Sequence, residues 1–511
     1  MKRFFIIFVI IATLFGASGC KKFLNIDPPS DLSGNNFWRN KADVERYING
    51  LYELFREAVY RPDMTAAAGD GEFPFFTWSG DLRGAPLKSN GRQYITDLVN
   101  NNIPTVVYRE PSYSSLFNSI RFTQWDRFFK AIASANIAVD RVPTVPDPSF
   151  SDADKKRYTA EAVFIRNMCY FFMVRLWGDV PYYTQPYFDG KLARTNQVTV
   201  LNKCLEDMGA VEKDLPWTYS DPTQIAVRAM RGSAIILMMH MNMWLAGFDG
   251  GNATRYYTST NDLSNELIQG NNGAYQLLDL SQTKVIFKGR SKEGLFEIPQ
   301  NVNYGESFGW SAFSDNVLYA PYKNYQITSS YLAYLPAFMI KLFPQGTSDL
   351  RATTWYDPAN MYNGDGKFIM LKFANVYANQ NAEDVNPDDN QTVFRLPDVY
   401  LLKAEALYNL GKEDSARLSV NVVRDRAKAP LITAGGQTLS DEIFFERCRE
   451  FMGEGLYWYD VVRTKRIVDP NYQFGYHCTV SQFAAGAWTW PLDAASVQKG
   501  NPLITLNNYW L

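Results

Sequence analysis

Two carboxylates near the C-terminus have the spacing of an acid–base pair. Glu450 and Glu454 are four residues apart, which places both on one face of a helix, and paired carboxyl groups can perform general acid–base chemistry. The alternative is a structural network of ion pairs with the nearby Arg447, Arg449 and Arg463. We favour this network because the segment has the periodicity of a scaffold helix, whereas catalytic groups are more often carried by loops.

Other catalytic arrangements are missing from the sequence. Its two histidines, His240 and His477, are too few for a histidine-based zinc site or a Ser-His-Asp triad, and the apolar surroundings of His240 indicate a satisfied core residue. There is no Walker or GxGxxG motif. The acidic stretch Glu383–Asp389 lacks EF-hand spacing and is interpreted as a solvated loop. We therefore predict no catalytic residue, no metal and no cofactor.

The N-terminus has the pattern of an export signal. Lys2–Arg3 precede the apolar run Phe4–Phe15, and the small residues Gly16–Gly19 lead to Cys20. The run is shorter than the roughly 20 residues that span a bilayer. An ordinary signal peptide cut near Ala17 is one interpretation. We favour a bacterial lipobox, in which cleavage leaves a lipid-modified Cys20 that anchors the mature chain to a membrane.

The remaining composition excludes some partners. Loss of the two signal-peptide cations leaves 49 basic against 53 acidic residues, a net charge of −4, which offers no basic surface for nucleic acid. The four later cysteines, Cys169, Cys204, Cys448 and Cys478, show no CxxC pairing, so no disulfide is inferred. Cys169 lies in an apolar helical stretch and is expected to be a buried thiol.

Apolar residues at helical spacing predict a mainly α protein. Long tracts rich in Gly, Pro, Asn and aromatic residues separate the helices, and loops of this length are often functional. Short strands are predicted at Gly294–Pro299 and Lys367–Phe373 within them. The predicted helices are Lys41–Tyr60, Phe122–Val142, Ala153–Trp177, Val200–Leu215, Val227–Ala246, Leu396–Leu410, Glu413–Ala427 and Asp441–Arg466.

One pair of helices resembles a tetratricopeptide hairpin. Ala404 and Ala416 flank Gly411, so that small side chains allow close helix approach and a glycine serves the turn. Strict periodicity is absent from the rest of the chain. We expect a helical solenoid whose units bury their faces by stacking.

Five motifs follow one another along the chain, within Phe23–Pro29, Phe37–Tyr52, Tyr170–Pro181, Arg395–Ala427 and Glu446–Arg463. The third contains Tyr170-Phe171-Phe172 and Leu176-Trp177-Gly178-Asp179, and the last has the pattern ER, E, EG, W, D and R. With these five motifs in this order, the sequence resembles the SusD/RagB family of Bacteroidetes outer-membrane nutrient-binding lipoproteins. The resemblance covers nearly the whole mature chain.

The resemblance implies a fold and a role. Residues 1–19 would be the signal peptide, and residues 20–511 one domain with tetratricopeptide-like helices, long irregular insertions and a few short strands. The helices would pack on a SusC-like TonB-dependent transporter of the outer membrane. The protein would be a non-catalytic lid, anchored at Cys20 on the cell exterior, that captures oligosaccharide and passes it to the pore. The alternatives are a surface glycoside hydrolase, or a transporter lid that binds peptide or no glycan.

The family places ligand-binding residues in the two loop regions that correspond to residues 61–119 and 247–395. A sugar site needs aromatic faces for pyranose C–H groups and planar polar groups for paired hydroxyls. Both occur in these tracts, although core packing is the alternative for each aromatic residue. The candidates are Trp78, Asp81 and Arg83, with Asn90 and Arg92 nearby; Asn303, Tyr304, Phe308 and Trp310, with Asp315 and Asn316; and Trp355–Tyr356.

Overall fold

The computed structural model describes residues 37–60, 75–108, 122–301, 313–322, 327–374 and 389–511. The signal peptide, Cys20, Tyr304 and Trp310 lie outside these ranges, as does most of the acidic stretch Glu383–Asp389. The predictions for these residues therefore remain predictions.

The described residues are mainly helical, as the sequence predicts. Ser151 caps the start of one long helix, because its hydroxyl accepts a hydrogen bond from the Asp154 backbone N–H. The helices are α1 (Lys41–Tyr60), α2 (Gln93–Val99), α3 (Ile103–Tyr108), α4 (Asp126–Arg141), α5 (Asp152–Trp177), α6 (Gln197–Gly209), α7 (Arg231–Phe248), α8 (Ala253–Gly270), α9 (Thr283–Lys288), α10 (Phe313–Val317), α11 (Pro336–Leu342), α12 (Arg351–Thr354), α13 (Leu396–Asn409), α14 (Glu413–Arg426), α15 (Gly436–Phe451), α16 (Tyr457–Arg463), α17 (Val480–Ala485) and α18 (Ala494–Val497).

The long helices form one stacked series. Helix α1 packs on α4, α4 on α5, α5 on α6, α6 on α7, α7 on α8, α8 on α13, and α13 on α14. Each helix thus buries its apolar face against the next one. Cys169 of α5 is fully buried, as predicted, and among the described residues no helix combines the length and apolar character needed to cross a membrane.

The α13–α14 hairpin has the predicted tetratricopeptide geometry. Ala404 and Ala416 are both fully buried and belong to one cluster beneath the hairpin. Gly411 has a φ of +72°, a left-handed conformation that favours glycine at the turn. Small residues at the contact therefore let α13 and α14 approach closely, as the sequence indicates.

Four short strands form two small antiparallel sheets. Strand β1 (Leu87–Ser89) pairs with β3 (Leu332–Tyr334), and β2 (Gly294–Ile298) pairs with β4 (Gln391–Arg395). The predicted strand at Gly294–Pro299 is confirmed as β2. Because α13 begins at the residue after β4, the second sheet is joined directly to the helical scaffold.

Several sequence-based assignments were wrong. The predicted helix Asp441–Arg466 is divided into α15 and α16, since Gly453 and Gly455 adopt φ of +83° and +81° between them. The tract that begins at residue 247 was predicted to be a loop region, but it contains the regular helix α8. Residues 367–373 form no strand but a single bridge at Met370 and a 3₁₀ turn at Leu371–Phe373.

Helix α8 was missed because its buried face is only weakly apolar. Thr260 and Ser264 are buried in it beside Tyr256 and Leu267, so the hydrophobic periodicity that identifies a helix is diluted. Glycines and Asn252 immediately before it also suggest a loop.

Candidate ligand-binding site

The β1–β3 sheet brings the two predicted ligand-binding tracts together. Beyond the end of β1, the Asn90 backbone N–H donates to the Tyr331 carbonyl at 2.7 Å. The Tyr331 N–H in turn donates to the carbonyl of Asn316 at 2.9 Å. Asn90 and Arg92 of the first tract therefore lie next to Asp315 and Asn316 of the second. We call Asn90, Arg92, Asp315 and Tyr331 the β1–β3 rim.

The planar guanidinium of Arg92 stacks on an aromatic ring at this rim. Its Cζ lies 3.5 Å from the ring centroid of Tyr331, which is a close cation–π contact. The turn is fixed because the Ser89 hydroxyl donates to the Arg92 carbonyl at 2.6 Å and accepts from the Arg92 N–H at 3.1 Å. Arg92 and Tyr331 are both half-buried, so the pair is held in place while it still meets solvent.

Neighbouring groups keep the Arg92 guanidinium protonated. Partial burial lowers the pKa of Arg92, but Tyr94, Tyr331 and the carboxylate of Asp315 together raise it above its usual value. The rim therefore presents a permanent planar cation beside a carboxylate and an amide. Such groups bind adjacent hydroxyls through paired hydrogen bonds, and the exposed part of the Tyr331 ring suits pyranose C–H groups.

Trp78, predicted to contact ligand, lies one layer behind this rim. It belongs to the π-helical turn Phe76–Leu82 and is 2% exposed. Its ring stacks between Tyr94, at 5.0 Å, and Phe122, at 5.4 Å. The Tyr94 hydroxyl donates to the side chain of Asn316 at 3.0 Å. Trp78 therefore supports the backbone that carries the rim, and both of its faces are covered in this conformation.

The predicted candidates Asp81 and Arg83 are also internal. Asp81 accepts a hydrogen bond from the Gly455 N–H at 2.8 Å, and burial raises its carboxyl pKa well above the usual value. Arg83 is fully buried, donates to the carbonyls of Ala487 and Thr489 at 3.0 and 2.9 Å, and has a pKa lowered to about 9 by burial. In the structure these side chains join the first tract to the C-terminal segment.

Trp355, which is distant in sequence from the other candidates, is likewise buried. Its indole N–H donates to the hydroxyl of Thr283 at 3.0 Å, and the Lys372 ammonium lies 4.7 Å from its ring. For Trp78, Asp81, Arg83 and Trp355 alike, direct sugar contact stays a prediction that this conformation does not favour. Tyr331 was overlooked, although it follows two serines and so has small neighbours, as Trp78 and Trp310 also do.

Glu450 and Glu454, the possible acid–base pair, belong to a buried ion-pair network. Glu450 accepts hydrogen bonds from Arg351 at 2.8 Å and from Arg395 at 2.5 Å, and it also binds Arg426. Glu454 binds Arg395 at 2.7 Å and Lys372 at 2.5 Å. The predicted structural role is confirmed, because both carboxylates are buried and their oxygens are bound by cations.

The partners in this network differ from those that the sequence suggested. Arg447 binds Asp398 and Asp460 instead, and Arg463 binds Asp460 and Glu405. The cations of Glu450 and Glu454 come from distant segments, which helical spacing cannot reveal. His240 is a satisfied core residue as predicted, with Nε2 2.6 Å from the Asp398 carboxylate.

Comparison with known proteins agrees with this fold. The sequence profile described as the SusD family matches residues 318–495, and the profile described as starch-binding, associating with the outer membrane, matches residues 22–235. A crystallised SusD homolog from Bacteroides thetaiotaomicron is 38% identical with a TM-score of 0.83, over 93% of this chain and 100% of that chain. The chain therefore belongs to the SusD/RagB family.

More distant relatives extend the similarity. SusD-like protein P38 of Formosa agariphila is 25% identical, with 92% of each chain covered. A solved structure described as a laminarin binding SusD-like protein is 20% identical with a TM-score of 0.65, over 92% of this chain and 99% of that chain. The similarity to this second protein is a similarity of fold.

The buried network predicts a strong dependence of stability on Glu450. Burial would raise the pKa of this carboxyl, but Arg426, Arg395 and Arg351 outweigh burial and hold the pKa well below 4.5. Glu450→Gln should lower the free energy of unfolding by about 3–5 kcal/mol at neutral pH, since it leaves buried cations uncompensated. Chemical denaturation followed by circular dichroism measures this change.

The pH dependence follows from the depressed pKa. The contribution of Glu450 is present above its unfolded pKa and is lost as the pH falls through its folded pKa, so the difference between wild type and variant should narrow in acid. Asp425→Asn is the control, because Asp425 is 76% exposed and lies 4.0 Å from Lys428; little change is expected. Equal stability of both variants at pH 7 would show that the network does not stabilise the fold.

Proposed function

We propose that this protein is a non-catalytic, cell-surface glycan-binding lipoprotein that delivers oligosaccharide to a SusC-like TonB-dependent transporter. The observation that carries the proposal is the β1–β3 rim, where Arg92 stacks on Tyr331 beside Asp315 and Asn90. Its planar polar groups and partly exposed aromatic ring match the chemistry of a pyranose. The proposal is also supported by family membership and by the relative whose description names laminarin.

A binding role is favoured over hydrolysis by the state of the carboxylates. Glycoside hydrolysis needs one carboxylic acid and one carboxylate that both reach the scissile bond. Glu450 and Glu454 are 0% and 3% exposed and are neutralised by Arg395, Lys372 and their neighbours. They can neither meet a substrate nor exchange protons with it easily.

The membrane location and the transporter partner complete the proposal. Family membership and the profile described as associating with the outer membrane support this location. The lipobox-like sequence that ends at Cys20 supplies the anchor, and the segment between Cys20 and α1 would tether a lid that opens and closes. Extraction of the native protein in mild detergent should retain a TonB-dependent transporter with it; purification as a lone polypeptide would contradict the partnership.

Loss of the Arg92 guanidinium should weaken glycan binding. A hydrogen bond to a charged group contributes about 1.5–3 kcal/mol, so Arg92→Ala should weaken affinity roughly tenfold or more. Calorimetry against a panel of soluble glycans that includes laminarin and starch measures the change. A matched control is Arg141→Ala, because Arg141 also lies over a tyrosine, with its Cζ 5.6 Å from the ring of Tyr187, but on the exposed end of α4.

Two outcomes would refute parts of this assignment. Equal glycan affinity of wild type and Arg92→Ala would exclude the rim as the binding site. Release of reducing ends from any glycan in the panel by purified protein would show that the protein is an enzyme.

Replacement of Cys20 tests the anchor. Cys20→Ala removes the sulfur that carries the lipid, and the two or three acyl chains of a lipoprotein supply firm membrane attachment. The variant should therefore move from the membrane fraction to the soluble fraction, as followed by immunoblotting. Lys21→Ala, next to the same site, should stay in the membrane, and membrane retention of Cys20→Ala would contradict lipid anchoring.

A further inference from the structure

A cavity lies between α1 and strand β2, and it shares no lining residue with the β1–β3 rim. Its volume is about 370 Å³, within the range of roughly 300–1,000 Å³ found for small-molecule sites. One face of α1 forms a wall, the loop before α7 forms the facing wall, and β2 closes the end. The α1 wall consists of Glu45, Asn49, Tyr52, Glu53, Phe55 and Arg56.

The cavity has an aromatic lining that is fixed in position. Phe55 and Phe296 pack with ring centroids 6.1 Å apart. The Tyr52 hydroxyl donates to Glu161 at 2.8 Å and accepts from the Ala229 N–H at 2.8 Å, so its ring cannot swing into the space. The half-buried ring of Tyr52, backed by the buried Phe55 and Phe296, provides apolar surface for ligand C–H groups, at little cost in side-chain ordering.

Most charged groups around the cavity are compensated within its walls. Glu45 forms an ion pair with Arg228, whose second nitrogen lies 2.8 Å from Glu161. Arg56 donates to the Pro299 carbonyl. The Glu297 carboxylate accepts hydrogen bonds from the Arg290 backbone N–H and the Asn390 amide, each at 2.8 Å. Because the Glu45 carboxylate already pairs with the Arg228 guanidinium, neither of these two groups favours a charged ligand.

Two amide side chains complete the lining with planar hydrogen-bonding groups. Within the described part of the chain, the exposed side chain of Asn49 makes no hydrogen bond to protein. The Gln224 amide nitrogen donates to Asp221 at 3.3 Å, which leaves its carbonyl oxygen for a ligand. Donors and acceptors in a plane suit vicinal hydroxyls. The ligand class defined by size, charge and lining is a small neutral polyhydroxy compound with apolar C–H faces.

We propose that this cavity is a second carbohydrate site, which binds a neutral mono- or disaccharide unit independently of the β1–β3 rim. The inference rests on the proposed glycan-binding function, whose own site is elsewhere. A glycan end held here would give the protein a second contact on the same polymer, and two linked contacts raise overall affinity through effective concentration.

Filling the cavity provides the test. Val227 lines it and is half-buried, so Val227→Trp should occupy the space. Saturation-transfer NMR and calorimetry with laminaribiose, maltose and cellobiose at millimolar concentrations should detect disaccharide binding to wild type. We expect roughly tenfold or greater weakening in Val227→Trp and retained binding in Arg92→Ala. The double variant Asn49→Ala/Gln224→Ala removes only exposed or half-buried amides, and it should weaken disaccharide binding severalfold. This double variant replaces Val227→Trp in the test if Val227→Trp does not fold.

The outcomes separate this site from the rim. Loss of disaccharide binding on filling the cavity, with polysaccharide capture still sensitive to Arg92→Ala, supports both sites. Disaccharide affinity that is unchanged in the cavity variants, or absent from wild type for all three probes, overturns the second site. Neither result affects the proposed function, whose glycan-binding part fails if none of the glycans in the panel binds wild type.

Discussion

The charge balance around Arg395 is the constraint on which the rest of the structure depends. This residue ends strand β4 and immediately precedes α13, and its guanidinium binds Glu450, Glu454 and Glu293. One side chain thus joins the scaffold helix α15, the turn that follows it and the residue preceding β2. All four groups are buried. Buried charges of this kind are costly unless every member has its partners, so the segments must assemble together.

The same cluster positions the ligand-binding region. Lys372 donates to the carbonyls of Glu450 and Met452 at 2.7 and 3.0 Å as well as to Glu454, and the burial that this requires lowers its pKa to about 8. Gly455, the residue after Glu454, donates its backbone N–H to Asp81 in the turn that carries Trp78. Contacts then continue from Trp78 through Tyr94 to Asn316 and the rim. A rigid scaffold thereby presents a half-exposed surface, as preformed binding sites require.

The sequence was most informative where periodicity decides the structure. Helices α1, α13 and α14 begin and end close to their predicted limits, because apolar stripes and the small residues Ala404 and Ala416 directly specify helix packing. The sequence was least informative about contacts between side chains that are far apart in the chain. The partners of Glu450 come from residues 351, 395 and 426, and no local pattern gives such pairings.

The site was predictable by region more than by residue. Asn90, Arg92, Asp315 and Asn316 were expected in two tracts, and the structure brings those tracts together. The depth of Trp78 was not predictable, since an aromatic residue beside Ser and Gly can support a surface or form it. Tyr331 has the same kind of neighbours and lies at the surface. Composition indicates a candidate sugar-binding region, whereas the packing of each ring decides which face remains accessible.

The central claim is that glycan binds at the β1–β3 rim on a scaffold that does not rearrange. Hydrogen–deuterium exchange of the intact protein, with and without a glycan shown by calorimetry to bind, tests this claim most directly. The account predicts slower exchange in residues 87–92 and 327–334, with the α13–α14 hairpin unchanged. Protection that omits these two segments, or that spreads through the hairpin, would contradict it.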